Sequence, residues 1–153
     1  MLSRSSEYAV RAVAHLGAGK NRKFVLSRQV AHDLGLPPPF LAKILQTLVS
    51  TDVLESQRGR GGGFRLRRDP DRLTLLEIVE PFDHLAHRTL CVLGQKLCSD
   101  EHACPLHYAW KSARHTFIDA LARTTLADVL RTEFSGSFPL GVPRATSSVV
   151  PEP

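Results

Sequence analysis

Ala9, Val13 and Leu16 recur at steps of four and three, with Tyr8 and Ala12 beside them, so residues 5–18 carry one apolar face. That period predicts a helix, started by Ser5 or Ser6 and ended by Gly17 and Gly19. A short helix over 27–34 follows. The Ser27 hydroxyl can accept an orphan N–H at its start, and Gly35 stops it. Pro37, Pro38 and Pro39 come next. Proline is tolerated only in the first turn of a helix, so a new helix opens at Pro38 or Pro39 and runs to Ser50. Leu41, Ile44, Leu45 and Leu48 form its apolar face.

Two helices across a tight glycine turn make a helix-turn-helix pattern, whose second helix enters the major groove. Its exposed face here holds Phe40, Lys43, Gln46 and Thr47. Residues 53–57 and 64–67 then read as short strands. Between them lie Arg58, Gly59, Arg60, Gly61, Gly62 and Gly63. This glycine density allows a tight hairpin that approaches another surface closely. The arginines at its tip can reach phosphates or a narrow minor groove. The pattern is that of a wing following a helix-turn-helix. It lacks the Gly-Lys-Ser/Thr ending of a nucleotide-binding loop and opens no helix.

Further along, Thr74 and Glu77 stand at capping-box spacing, which predicts a helix over 74–80 ended by Pro81. Residues 82–104 show no sustained period. Pro105 suits the first turn of a long helix to Arg123, in which Leu106, Trp110, Ala113, Phe117 and Leu121 form one apolar stripe. In so small a chain such a helix often packs against a second copy of itself. Thr125 can cap a last helix over 126–132. From Phe134 to Pro153 the chain is rich in Pro, Ser and Gly without a period, and is expected to be disordered. The expected fold is mainly α with a small β-hairpin: a winged helix-turn-helix plus a long dimerisation helix. The expected divisions are 1–81 for DNA binding, 82–104 for a cysteine-rich loop, 105–133 for the dimerisation and C-terminal helices, and 134–153 for the tail.

Composition changes this picture only through charge. The 153 residues carry a formal net charge of +5. All of the excess falls in residues 1–90, and residues 58–72 hold six Arg against two Asp. A basic N-terminal part beside a neutral C-terminal part points to a polyanion on one side. No apolar run is long enough to span a bilayer and no secretory leader is apparent, so a cytoplasmic protein without a membrane role is expected.

Cys91, Cys98 and Cys104 are the cysteines of the chain, and His107 follows, with gaps of six, five and two residues. Three clustered thiols in a cytosolic chain favour metal over a disulfide framework. Zinc takes three Cys and one His tetrahedrally, and an iron–sulfur cluster also takes thiolates with His in some centres. Structural zinc sites usually pair their ligands in close clips, so the open spacing favours a cluster. Structural zinc, or no metal at all, stays as the alternative. Cys104 beside His107 at a helix start could also be an activated nucleophile. No third orienting group is visible in the sequence, so an enzyme is not expected.

The segment 27–48, the run from Gln57 to Phe64, and residues 91–110 together resemble the Rrf-two family of bacterial winged-helix regulators, in its iron–sulfur-sensing and nitric-oxide-sensing branches. Residues 2–12 are similar to the family's first helix and 124–130 to its close. The resemblance implies a homodimer that binds double-stranded DNA at an operator with two-fold symmetry. It implies that a cluster, 2Fe–2S in preference to 4Fe–4S, is held by Cys91, Cys98, Cys104 and His107. Glu7 or His32, donated by the partner subunit, are the alternative fourth ligands. Ser27, Arg28, Phe40 and Lys43 are expected on phosphates and base edges, with Arg58 and Arg60 on the backbone or minor groove.

Overall fold

The computed structural model of the chain describes residues 2–19, 23–85, 91–96 and 98–132. Helix α1 spans Arg4–Ala18. Ser3, not Ser5 or Ser6, caps it, because the Ser3 Oγ accepts the Ser6 N–H. Ser6 is instead fully buried and donates its hydroxyl to the Val79 carbonyl. Gly17 does not end the helix. It sits where an added Cβ would come within 3.1–3.3 Å of Leu126, Leu130 and Leu66. It is therefore a contact point for later elements rather than a stop.

Helix α2 (Ser27–Leu34) also starts differently from expectation. Leu26 holds the cap position with no side-chain bond, and Ser27 is already helical. The expected Gly35 stop is present, with φ at +63° and its N–H turned to the Ala31 and His32 carbonyls. Helix α3 (Pro38–Ser50) buries Leu41, Ile44, Leu45 and Leu48. Strands β1 (Leu54–Gln57) and β2 (Gly63–Leu66) pair antiparallel, with Leu54 opposite Leu66 and Gln57 opposite Gly63. Val25 joins the outer side of β2 by exchanging two backbone bonds with Phe64.

Helix α4 (Leu75–Asp83) begins with the expected Thr74–Glu77 capping box but runs through Pro81. Proline removes one backbone donor, and burial of Ile78 and Val79 with a bond from the Ser3 N–H to Asp83 (3.0 Å) holds the last turn in place. His84, in the left-handed region, ends it. Helix α5 spans His107–Arg123, two residues later than Pro105 suggests, and packs along α4. Its stripe does not share one environment. Leu121 is buried, while Leu106 and Phe117 are 47% and 43% exposed.

Helix α6 (Leu126–Arg131) carries its own capping box, Thr125 with Asp128. It returns to the N-terminal part. Leu126 N–H bonds the Leu73 carbonyl, Leu75 N–H bonds the Thr124 carbonyl, and the Leu126 side chain joins Leu41, Leu45, Leu48, Leu54 and Leu73 in the core. The sequence-based boundary at 81 thus falls inside α4, and α6 packs with the winged helix. The expected tail at 134–153 lies outside the described residues. Among the described residues, no helix is long and apolar enough to cross a membrane.

Candidate functional site

Two regions carry the candidate chemistry. The first is the surface made by α2, α3 and the hairpin. A groove of about 300 Å³ runs between Leu26 and Ser27 at the start of α2, Gln46 on α3, and Gln57, Arg58 and Gly63 of the hairpin. Arg28 and Lys43 are exposed beside it, and Ser27 is half-buried. Phe40 is 38% exposed, and its ring meets Tyr8 edge-on at 5.7 Å. That contact anchors the N-terminal end of α3 on α1 and leaves part of the ring open.

The hairpin is held close to the helices by missing side chains. A Cβ at Gly63 would lie 2.3 Å from the Val25 carbonyl oxygen, and one at Gly62 would lie 2.2 Å from that of Gln57. The basic run is less uniform than its count suggests. Arg65 pairs with Glu55, Arg67 with Asp52 and Arg68 with Glu77. Arg58 and Arg60 stand exposed at the tip. Arg72 is exposed as well, so the unanswered positive charge of this segment lies at the wing tip and at Arg72.

The second region is the cysteine loop against the start of α5. Cys91 Sγ lies 4.0 Å from Cys104 Sγ, and Cys98 Sγ lies 3.2 Å from His107 Nδ1. Backbone hydrogen bonds from Gln95 and Leu93 hold the Cys91 thiol below its usual range. Burial, together with the charges of Cys91 and Cys104, pushes the Cys98 thiol up. His107 is only 3% exposed. Its Nε2 is 2.7 Å from Asp100 Oδ1, and Lys111 Nζ lies 2.8 Å from both oxygens of that carboxylate. Asp100 opens a short 3₁₀ turn, Asp100–His102, that Ser99 caps.

Asp100 is the orienting group that the sequence does not reveal. Thiol, imidazole and carboxylate stand in line, as in an activated nucleophile. The raised Cys98 thiol opposes that use, because a nucleophilic cysteine needs its thiolate. The donor set fits a metal centre better. Two ligands at about 2.3 Å from one tetrahedral metal stand about 3.8 Å apart, and the Cys91–Cys104 spacing matches such an edge. Cys98 and His107 form a second edge. Among the described residues, no three His, Cys, Asp or Glu side chains are arranged to hold a single metal ion. The three thiols and His107 nevertheless gather in one place, since Cys98 also shares a hydrogen bond with Cys91, and their donor types are those that zinc or an iron–sulfur group takes.

The other candidate ligands lie elsewhere. Glu7 is exposed on α1, and His32 is exposed on α2 beside Asp33 at 3.3 Å. His102, inside the loop, is exposed and gives its backbone N–H to Ser99.

Known proteins resemble this chain in sequence and in fold. Residues 2–132 match the model of the Rrf2 family, described as an iron-dependent transcriptional regulator. A protein of Aquifex aeolicus described as an HTH-type transcriptional regulator is 30% identical, over 92% of this chain and 98% of its own. CymR, the global cysteine regulator of B. subtilis, superposes with a TM-score of 0.71 at 20% identity, covering 85% of this chain and 95% of its own. IscR of T. potens superposes with a TM-score of 0.68 at 22% identity, covering 85% of each chain.

Proposed function

Because this chain belongs to the Rrf2 family of transcriptional regulators, we propose that it is a homodimeric DNA-binding sensor that holds a 2Fe–2S cluster on Cys91, Cys98, Cys104 and His107. It is a regulator and not an enzyme. The observation that carries the cluster reading is the convergence of the three thiols and His107, with Cys91 beside Cys104 and Cys98 beside both Cys91 and His107. His107 is preferred to Glu7 and His32 because its Nδ1 already faces a cysteine. When bound, the cluster supplies a redox-active centre that oxidants and nitric oxide can alter.

The chain's own residues account for the rest. Gln46, Ser27 and the wing line one groove, so α3 can lie in a major groove while Arg58 and Arg60 reach the flanking backbone or minor groove. Ser27, Arg28, Phe40 and Lys43 complete the contact surface. The ligands tie the loop to the first turn of α5, α5 packs on α4, and α4 packs on α1. Ordering the loop by ligation therefore bears on helices that set the spacing of two wings in a dimer. A two-fold operator with half-sites about one helical turn apart is expected.

Protein purified without oxygen and analysed for iron, sulfide and zinc tests this reading. The expected product is brown, with visible thiolate-to-iron absorption that Cys98→Ala bleaches. A colourless protein with one zinc per chain, or one that takes up neither metal on reconstitution, overturns it.

A further inference from the structure

His107 is nearly inaccessible, yet both of its ring nitrogens are engaged. Nδ1 faces Cys98 Sγ at 3.2 Å and Nε2 faces Asp100 Oδ1 at 2.7 Å. An ionised carboxylate accepts hydrogen bonds and donates none. Nε2 therefore donates to Asp100, and in the neutral imidazole Nδ1 then presents its lone pair toward Cys98. Asp100 is fixed in turn, since Lys111 Nζ bonds both of its oxygens at 2.8 Å. Lys111 stands one turn after His107 on α5, so the same helix carries the imidazole and the cation that aims its carboxylate. A cavity of about 290 Å³, lined by Asp100, Trp110, Lys111 and Arg114, opens on this side of the ring.

We propose that Asp100, clamped by Lys111, is a positioning residue that commits His107 to ligation through Nδ1 and increases its electron donation to the bound group. A carboxylate behind a ligating imidazole sets its orientation and raises its basicity, and its loss typically weakens metal binding about 10–100-fold. The inference rests on the cluster reading above.

Asp100→Ala, Asp100→Asn and Lys111→Met are compared with the unsubstituted protein, each reconstituted without oxygen from ferrous iron and sulfide. In the metal-free protein, the His107 Nε2–H proton should give a resolved magnetic resonance signal that Asp100→Ala abolishes. In the loaded protein, Asp100→Ala should lose its colour to a chelator about 10–100-fold faster and show a higher reduction potential. Asn still offers an acceptor oxygen, so Asp100→Asn should fall between the two, as should Lys111→Met. Unchanged thermal unfolding of the metal-free variants separates positioning from folding. If the unsubstituted protein holds a cluster and Asp100→Ala matches it in signal, bleaching and potential, Asp100 has no such role. If the unsubstituted protein holds no cluster, the parent reading fails instead, and the Nε2–H signal still reports whether Asp100 fixes the ring.

Discussion

Arg58 and Arg60 differ from Arg65, Arg67 and Arg68 in what surrounds them. Arg65, Arg67 and Arg68 each meet a carboxylate within the domain, at 2.5–2.8 Å, so much of their charge is answered at home. The tip arginines are exposed on a glycine-supported hairpin. Replacing both with Ala should weaken DNA binding at all sequences and lower the slope of log affinity against log salt by about 1 for each lost phosphate contact. Arg67→Ala, which breaks only the pair with Asp52, should leave that slope nearly unchanged. A fluorescence titration over a range of salt concentrations separates the two, and an unaltered slope in the double variant removes the wing from the interface. At this scale the sequence is a partial guide. Cys91, Cys98, Cys104 and His107 are legible because their chemistry is rare and their spacing local. Asp100 and Lys111 are not, because an ordinary Asp–Lys pair says nothing until the chain turn that brings Asp100 onto the His107 ring is known.

Elements were legible where the signal is local. Thr74 with Glu77 caps its helix as the spacing predicts, and Thr125 caps the last helix as expected, with Asp128 completing its box. The start of α2 was not, since Val25 is bridged to Phe64 and carries Leu26 into the cap position in extended form. Pro81 misleads for a similar reason, because a long-range bond from Ser3 and the burial of Ile78 and Val79 outweigh one missing donor. The α4 cap has a pH signature. Partial burial opposes ionisation of Glu77, but the Thr74 N–H and hydroxyl and the Arg68 guanidinium outweigh it and hold its carboxyl below the usual value. A depressed acid stabilises the fold above its unfolded value of about 4.3, and that contribution is lost as pH falls through the lower folded value. Glu77→Gln should therefore lower the melting temperature at pH 7, and the gap from the unsubstituted protein should close on acidification below pH 4. A gap that stays constant with pH would show that Glu77 acts through packing alone.

The whole molecule is a winged helix closed by its own last helix, with α5 set along one side. Leu126 of α6 lies in the same core as Leu41 and Leu54, so the winged-helix core is completed by residues from both sides of the cysteine loop. The loop and α5 together form the excursion between those two parts. α5 buries His107 and Leu121 within the chain, but Leu106, Tyr108 and Phe117 remain 47%, 69% and 43% exposed. Leu106, Ala113 and Phe117 recur at helical spacing on the outward side, which gives the proposed dimer an apolar seam. Two substitutions distinguish seam from core. Phe117→Glu places a charge in the seam, where burial without a partner is costly, yet removes little from the monomer's interior. It should give a folded monomer by light scattering, with much weaker binding to a two-fold operator and far smaller loss on a single half-site. Leu121→Ala removes a buried side chain, so it should cost about 2–5 kcal/mol of stability instead of dissociating a folded dimer. If Phe117→Glu remains dimeric and binds the full operator as before, the outward stripe of α5 is not where two copies meet, and the route from loop to wing spacing must run through another surface.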